Sequence, residues 1–262
     1  AAAATITAAA VLVATAPAAG ASAASFCGDL GGQWDGQGCH TTVLSERNAT
    51  RDITMDLPEG FVDNPVIRNY LTTLMNNWRT AAVKMAADSY AKEHFWVFPH
   101  GAATTIVFNE IYSGTVGTDA LAHPNRPIES TAYRTFTFTP DRQLALADIF
   151  KPGLDPNTEI PTRGEPFIMD ALNAAAPPHQ PNTYPFMPDR WTPNNVYSGG
   201  YKAWALTPDE LILYMPDYPV GHDTPLDFTT AHMQWFMNGG IVQAHIPLSA
   251  LAPVLRPEFG GN

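Results

Sequence analysis

Residues 121–153 read LAHPNRPIESTAYRTFTFTPDRQLALADIFKPG, and this stretch decides the fold that we predict. A polar loop rich in proline leads into a strand at residues 132–139, because polar and apolar side chains alternate there. Residues 139–141, Thr-Pro-Asp, favour a turn. A short apolar segment then ends at residues 151–153, Lys-Pro-Gly, a combination that stops a helix. One face of the strand carries Tyr133, Thr135 and Thr137, and the other carries Ala132, Phe136 and Phe138.

The sequence on either side of this stretch predicts one long helix and several strands. The helix starts after Asn64, a good N-cap, with Pro65 as a good first residue, and its apolar stripe continues to about Asp88. Shorter helices are predicted at residues 166–175 and 247–255. The pattern indicates one α+β domain, a mainly antiparallel sheet with one long and several short helices packed on it. Further strands are predicted at residues 51–57, 94–98, 104–113, 201–206, 210–215 and 240–246.

Several motifs in this order resemble a known family. The His-Pro loop at residues 123–124, the aromatic strand and the Leu-x-Asp-Ile-Phe turn at residues 146–150 resemble the secreted immunogenic antigen family of mycobacteria. The same domain forms the extracellular part of lysozyme-sensing anti-sigma factors. The resemblance implies a secreted α+β domain that binds a ligand or a host protein, with esterase activity proposed for some members. Residues 26–30, 52–58, 201–207 and 246–251 extend the resemblance over most of the chain.

Composition restricts the class of partner. The chain has 262 residues with 45% hydrophobic content, which is enough for a packed core. Its formal net charge of −11 would repel a phosphate backbone, so we expect no nucleic-acid partner. The acidity is compatible with a basic protein partner such as a lysozyme, although net charge mostly reports solubility.

The first 24 residues predict export. Residues 1–24 carry no charge and end in small residues, with Ala21-Ser22-Ala23 matching the cleavage pattern of a secretory signal peptide. The basic start of such a signal is missing, so we expect the chain to begin inside it. We therefore expect a protein that is secreted or held at the cell envelope, with a single domain at residues 25–262. No other stretch is long and apolar enough to cross a bilayer, so we expect no stable membrane insertion after cleavage.

Both cysteines follow the predicted signal and enclose a glycine-rich loop. In an exported protein Cys27 and Cys39 indicate one disulfide; metal binding by the pair with His40 is the alternative, but other ligands are absent nearby. The loop carries Trp34, which would either present its indole to a sugar or pack over the disulfide. Its Gly-Gly-x-Trp segment is similar to small mannan-binding modules.

Candidate catalytic and binding residues lie mainly in loops. Ser113 and Ser198 each precede glycine, whose backbone is able to approach an oxyanion, and His123 and His222 have acidic residues nearby. Turn serines and loop histidines with no catalytic role are the alternative, because the G-x-S-x-G motif is absent. The proline-rich insertion at residues 177–200 contains aromatic residues that would either line a groove or pack on the core. The candidate binding residues are Trp34, His123, Tyr184 and Trp191.

These patterns together predict a non-catalytic binding protein. We expect its partner to be a host or envelope protein, or a carbohydrate, and we expect no cofactor and no metal site. The alternative is a cell-wall esterase that acts on short acyl chains, with Ser113 or Ser198 as the nucleophile.

Overall fold

A computed structural model of the chain describes residues 22–114, 128–174, 199–215 and 242–262. It has a large sheet, a small sheet and helices packed against both sheets, which confirms the predicted α+β class. No helix in these ranges is long and apolar enough to cross a membrane. The large sheet contains β1 (Gln33–Trp34), β2 (Cys39–Leu44), β3 (Thr50–Met55), β4 (Ser89–His100), β5 (Ala103–Gly114), β6 (Ile128–Phe138) and β7 (Gln143–Leu144). The small sheet contains β8 (Trp204–Leu206), β9 (Glu210–Met215) and β10 (Val242–Pro247), and the helices are α1 (Ala23–Asp29), α2 (Pro65–Ala82), α3 (Pro156–Ala174) and α4 (Leu248–Leu251).

The strands of the large sheet follow their sequence order, β1 to β7. Within the described sheets every pairing is antiparallel except that of β3 with β4, which is parallel. A parallel pair needs a crossover connection, and α2 is that crossover. The helix therefore lies across one face of the sheet, which we call the inner face.

The start of α2 agrees with the prediction and its end does not. The Asn64 side chain accepts hydrogen bonds from the backbone N–H groups of Val66 and Ile67, and Pro65 is the first helical residue. The helix ends at Ala82, six residues before the predicted end at Asp88. Its buried stripe packs on the inner face, together with the disulfide and α1, and contains Ile67, Leu71, Leu74, Met75 and Trp78.

The small sheet covers part of the opposite, outer face of the large sheet. Ile212 and Tyr214 of β9 pack against Val107 of the large sheet. The alternate residues of β9 pack on the other side, in a cluster that includes α3. A strand that is covered on both faces needs apolar side chains on both, and residues 211–214 are apolar throughout. The prediction that they form a central strand is confirmed, because β9 lies between β8 and β10.

The second long helix, α3, begins ten residues before the short helix that we predict at residues 166–175. Pro161 and Pro166 lie inside it, where proline removes a backbone hydrogen bond and argues against a helix. Packing outweighs this cost, because Ile160, Ile168 and Leu172 are fully buried against the small sheet. The described part of the domain therefore contains a second long helix beside α2.

The predicted disulfide between Cys27 and Cys39 is present and links α1 to β2. Both cysteines are fully buried in the cluster beneath α2. A Cβ atom added to Gly32 would lie 2.4 Å from Cys39 Sγ, so the loop needs glycine to pass this close to the disulfide. The first helix begins at Ala23, so the predicted signal boundary at residue 24 falls within α1.

Removal of this disulfide is expected to lower stability without unfolding the domain. We expect the double substitution Cys27→Ala and Cys39→Ala to reduce the free energy of unfolding by about 2–3 kcal/mol, because a short crosslinked loop restricts the unfolded chain only moderately. Urea denaturation measures the change. As a control, a reducing agent should lower the stability of the wild type by a similar amount and leave the variant unchanged. Equal stability of variant and wild type would contradict the prediction.

Candidate functional site

The outer face of the large sheet is solvent-accessible over β1 to β4, beyond the small sheet. Paired residues lie on the same face of a sheet, so His40 on β2, Thr54 on β3 and Lys92 on β4 form one row across three strands. We call this surface the open face. Its residues are exposed or partly exposed, and they are Gln33, His40, Thr42, Leu44, Asp52, Thr54, Asp56, Tyr90, Lys92, His94 and Trp96.

The first polar pair of the open face lies in the hairpin of β1 and β2. The Asp35 carboxylate accepts hydrogen bonds from the backbone N–H groups of Gln37 at 2.8 Å and Gly38 at 2.9 Å. These bonds, Gly38 first, favour the ionised form and lower the pKa of Asp35 below its ordinary value. Its second oxygen lies 2.7 Å from His40 Nε2, and His40 Nδ1 lies 3.3 Å from Thr54 Oγ1. The imidazole is thus held from both nitrogens.

A second histidine and carboxylate pair lies farther along β3 and β4. His94 Nδ1 is 2.7 Å from Asp56 Oδ2, and the two side chains are 42% and 38% exposed. A carboxylate at Nδ1 favours the tautomer with the proton on that atom. His94 Nε2 has no hydrogen-bond partner among the described residues. This nitrogen is therefore oriented to accept a hydrogen bond from a ligand.

Trp96 is an exposed aromatic side chain on the same strand. It is 45% exposed, which is unusual for a side chain of its size. Its ring stacks on Tyr133, with centroids 6.4 Å apart and planes at 20°. Tyr133 stacks in turn on Tyr214 of the small sheet, with centroids 4.7 Å apart and planes at 22°. The indole is therefore supported from behind by two further rings.

Trp34 does not belong to the open face. It pairs with Cys39, whose side chain points to the inner face, and it packs partly buried against the cluster that contains the disulfide. This location agrees with the second of its two interpretations, packing over the disulfide. Gln33, its neighbour, lies on the open face and pairs with His40.

Ser113 occupies a structural position. It is only 1% exposed, its hydroxyl accepts a hydrogen bond from the Tyr90 backbone N–H at 2.9 Å, and its carbonyl accepts one from Arg51. This placement joins β4 to β5 and gives the hydroxyl no access to a substrate. The other catalytic candidates, Ser198, His123 and His222, lie outside the described residues, so the esterase hypothesis stays a prediction for them. The binding role predicted for His123, Tyr184 and Trp191 likewise stays a prediction, because these residues also lie outside the described ranges.

A cavity of about 470 Å³ lies between the end of β6, the start of α3 and the segment that precedes β8. The two threonine hydroxyls in its lining already bind protein groups, because Thr135 accepts from the Trp204 backbone N–H and Thr137 bonds to Thr105. The first bond attaches β8 to the large sheet, and the second lies within the large sheet, between β5 and β6. Within the described residues no group of three or more His, Cys, Asp or Glu side chains is arranged to hold a metal ion.

Sequence reasoning did not identify the residues of the open face. The signal is present in the alternation of Lys92, His94 and Trp96 along one side of β4. Asp56 and His40 join them only through the strand order and register, which the sequence does not specify.

Comparisons with known proteins bear on both the fold and this surface. Residues 147–249 match the family model described as a protein of unknown function, DUF3298. Residues 16–53, which include the hairpin of β1 and β2, match the model described as mannan-binding protein. No curated protein sequence matches the chain. The fold is similar to a crystal structure of a DUF3298 family protein from Pseudomonas aeruginosa, with a TM-score of 0.51 and 12% identity over 86% of this chain and 96% of that one. The chain therefore contains a segment that matches the DUF3298 model. Its fold is similar to that of a DUF3298 family protein.

Proposed function

We propose that this protein is secreted or held at the cell envelope, where it binds a neutral, mannan-like glycan through the open face. One observation carries the proposal: two half-exposed histidine and carboxylate pairs lie on one sheet face. The first pair lies within the segment that matches a mannan-binding model. The resemblance to secreted mycobacterial antigens and the signal-like residues 1–24 support the location.

The chemistry of these pairs suits a ligand rich in hydroxyl groups. Each sugar hydroxyl is both a donor and an acceptor, and the open face offers carboxylate, imidazole and threonine groups of both kinds. Asp35 and His40 hold each other in place, so a bound sugar need not immobilise them at an additional entropic cost. The net charge of −11 disfavours an acidic polysaccharide, which makes a neutral glycan the better ligand.

Replacement of His40 tests the proposal directly. We expect His40→Ala to weaken binding of soluble mannan about tenfold, because it removes a hydrogen-bonding side chain and frees Asp35 from its partner. Isothermal titration calorimetry of the disulfide-intact protein measures the affinity.

The chain offers a matched control for this variant. His245 lies 2.8 Å from Glu210 in a similarly exposed pair, but on the small sheet, so His245→Ala should leave mannan binding unchanged. Equal losses in the two variants, or no mannan binding by the wild type, would contradict the proposal. The search would then turn to a basic protein partner, tested by complex formation with a lysozyme at low salt.

A further inference from the structure

We infer that the ligand is an extended oligosaccharide and that Trp96 forms a separate aromatic subsite at the far end of the open face. The inference rests on the proposed function and adds the length of the ligand and the position of its second contact.

The surroundings of Trp96 favour a sugar ring over other ligands. A pyranose presents a face of C–H groups that packs on an aromatic ring, while its hydroxyls point outward to polar groups. The indole is 45% exposed and is held by the stack with Tyr133 and Tyr214, so little side-chain freedom is lost on binding. His94, two residues earlier on the same face, has its Nε2 available to accept a hydrogen bond from a hydroxyl.

The distance between the two ends of the open face sets the length of the ligand. His40 and Lys92 lie in one row across two strand spacings, and Trp96 is four residues farther along β4. Strand spacing and rise then separate His40 from Trp96 by roughly 16 Å. A single sugar ring is much shorter than this, so only a chain of several rings contacts both. The pair of Asp56 and His94 lies between the two ends.

The composition of the surface argues against a protein partner at this position. The described part of the open face carries two large exposed apolar side chains, Trp96 and Leu44. They lie four residues to opposite sides of the row of His40 and Lys92, with charged or polar side chains between them, so they form no continuous apolar patch. Stable protein interfaces have a continuous apolar centre and bury far more area than one indole provides. Isolated aromatic rings between hydrogen-bonding groups instead match successive units of a glycan.

The test compares mannobiose with longer linear mannan oligosaccharides on the wild type and on Trp96→Ala. For the wild type we expect affinity to increase with chain length, because longer chains reach from His40 to Trp96. We expect Trp96→Ala to weaken binding of the long chains about tenfold and to leave mannobiose binding unchanged. Trp96→Phe should recover part of the loss. Val97→Ala is the matched control, because Val97 is the next residue on β4, is 38% exposed and belongs to the opposite face.

The outcomes separate this inference from the proposed function. If His40→Ala weakens binding of long chains and Trp96→Ala does not, the proposed function stands and the second subsite is rejected. An equal loss for mannobiose and long chains in Trp96→Ala would also reject it, since the indole would then belong to the same subsite as His40. If the wild type binds neither mannobiose nor the longer chains, both proposals fail.

Discussion

Glu93→Gln is expected to make the protein more stable than the wild type at neutral pH, by an amount that grows as the pH rises. Glu93 lies on β4 beneath α2 and is fully buried. Neither of its carboxylate oxygens has a hydrogen-bond partner among the described residues. A buried carboxylate without a partner is among the most unfavourable groups in a protein core, so its ionisation should weaken the fold.

The neighbours of Glu93 add to this effect. Glu110 is its direct partner across β4 and β5 and is itself 8% exposed, so two carboxyl groups share one buried site. Tyr70 of α2 donates a hydrogen bond to Glu110 at 2.8 Å, and Arg134 lies 3.9 Å from the same oxygen. Among the residues that the structure describes, Glu110 therefore has partners and Glu93 has none, which makes Glu93 the residue to replace.

The direction of the pH dependence follows from the pKa of Glu93. Burial first, and then the charges of Asp56 and Glu110, raise this pKa well above its ordinary value. Above the pKa of the unfolded chain, the native protein keeps a proton on Glu93 that the unfolded chain has released. Stability contributed by this group is thus full at low pH and falls as the pH rises toward the native pKa, by at most about 1.4 kcal/mol per pH unit. Glutamine cannot ionise, so the free energy of unfolding of the variant lacks this decrease with rising pH.

Urea denaturation over a pH series measures the difference between variant and wild type. We expect the two free energies of unfolding to be similar in acid and to diverge in favour of Glu93→Gln toward neutral pH. Glu46→Gln is the control, because Glu46 lies at an exposed turn, and its difference from the wild type should stay small at every pH. Parallel curves for Glu93→Gln and the wild type would show that Glu93 is not the buried acid described above.

Phe108→Ala is expected to cause the largest loss of stability among our substitutions. Phe108 is fully buried on β5, and its ring contacts Tyr70 at 4.9 Å, Phe136 at 6.0 Å and Phe95 at 6.3 Å between centroids. Truncation removes the apolar contact and leaves a cavity between α2 and the sheet, at a cost of about 3–5 kcal/mol.

A graded pair of variants checks that packing is the cause. Phe108→Leu keeps most of the volume and should cost much less than Phe108→Ala in urea denaturation. A decrease of less than about 1 kcal/mol in the free energy of unfolding of Phe108→Ala would contradict the packing of Phe108 between α2 and the sheet.

Local sequence patterns correctly predicted the elements whose structure depends on their own residues. The alternation at residues 132–139 is found in β6, the Asn64 cap and Pro65 start α2, and the two cysteines form their disulfide. The early start of α3 was missed because two prolines oppose a helix locally, while burial of Ile160 against the small sheet favours it.

The residues of the open face show a second limit of prediction from local sequence patterns. Most of these residues look like ordinary polar or aromatic strand residues in the sequence, and the binding and catalytic candidates that we predict lie mainly in loops. His40, Asp56 and Trp96 share one surface only because β3 pairs in parallel with β4 through the crossover of α2. Strand pairing depends on contacts between residues distant in the chain, so a local pattern carries no information about it.

The sequence by itself determined the fold class, the positions and faces of most strands, the capped start of α2 and the Cys27–Cys39 link, since these depend on side-chain periodicity and local chemistry. Only the tertiary structure decided the order and register of the strands, the burial of Glu93 beside Glu110, and the support of Trp96 by Tyr133 and Tyr214. The physical reason is that burial and stacking are properties of pairs of segments, and their free energies appear only when those segments meet.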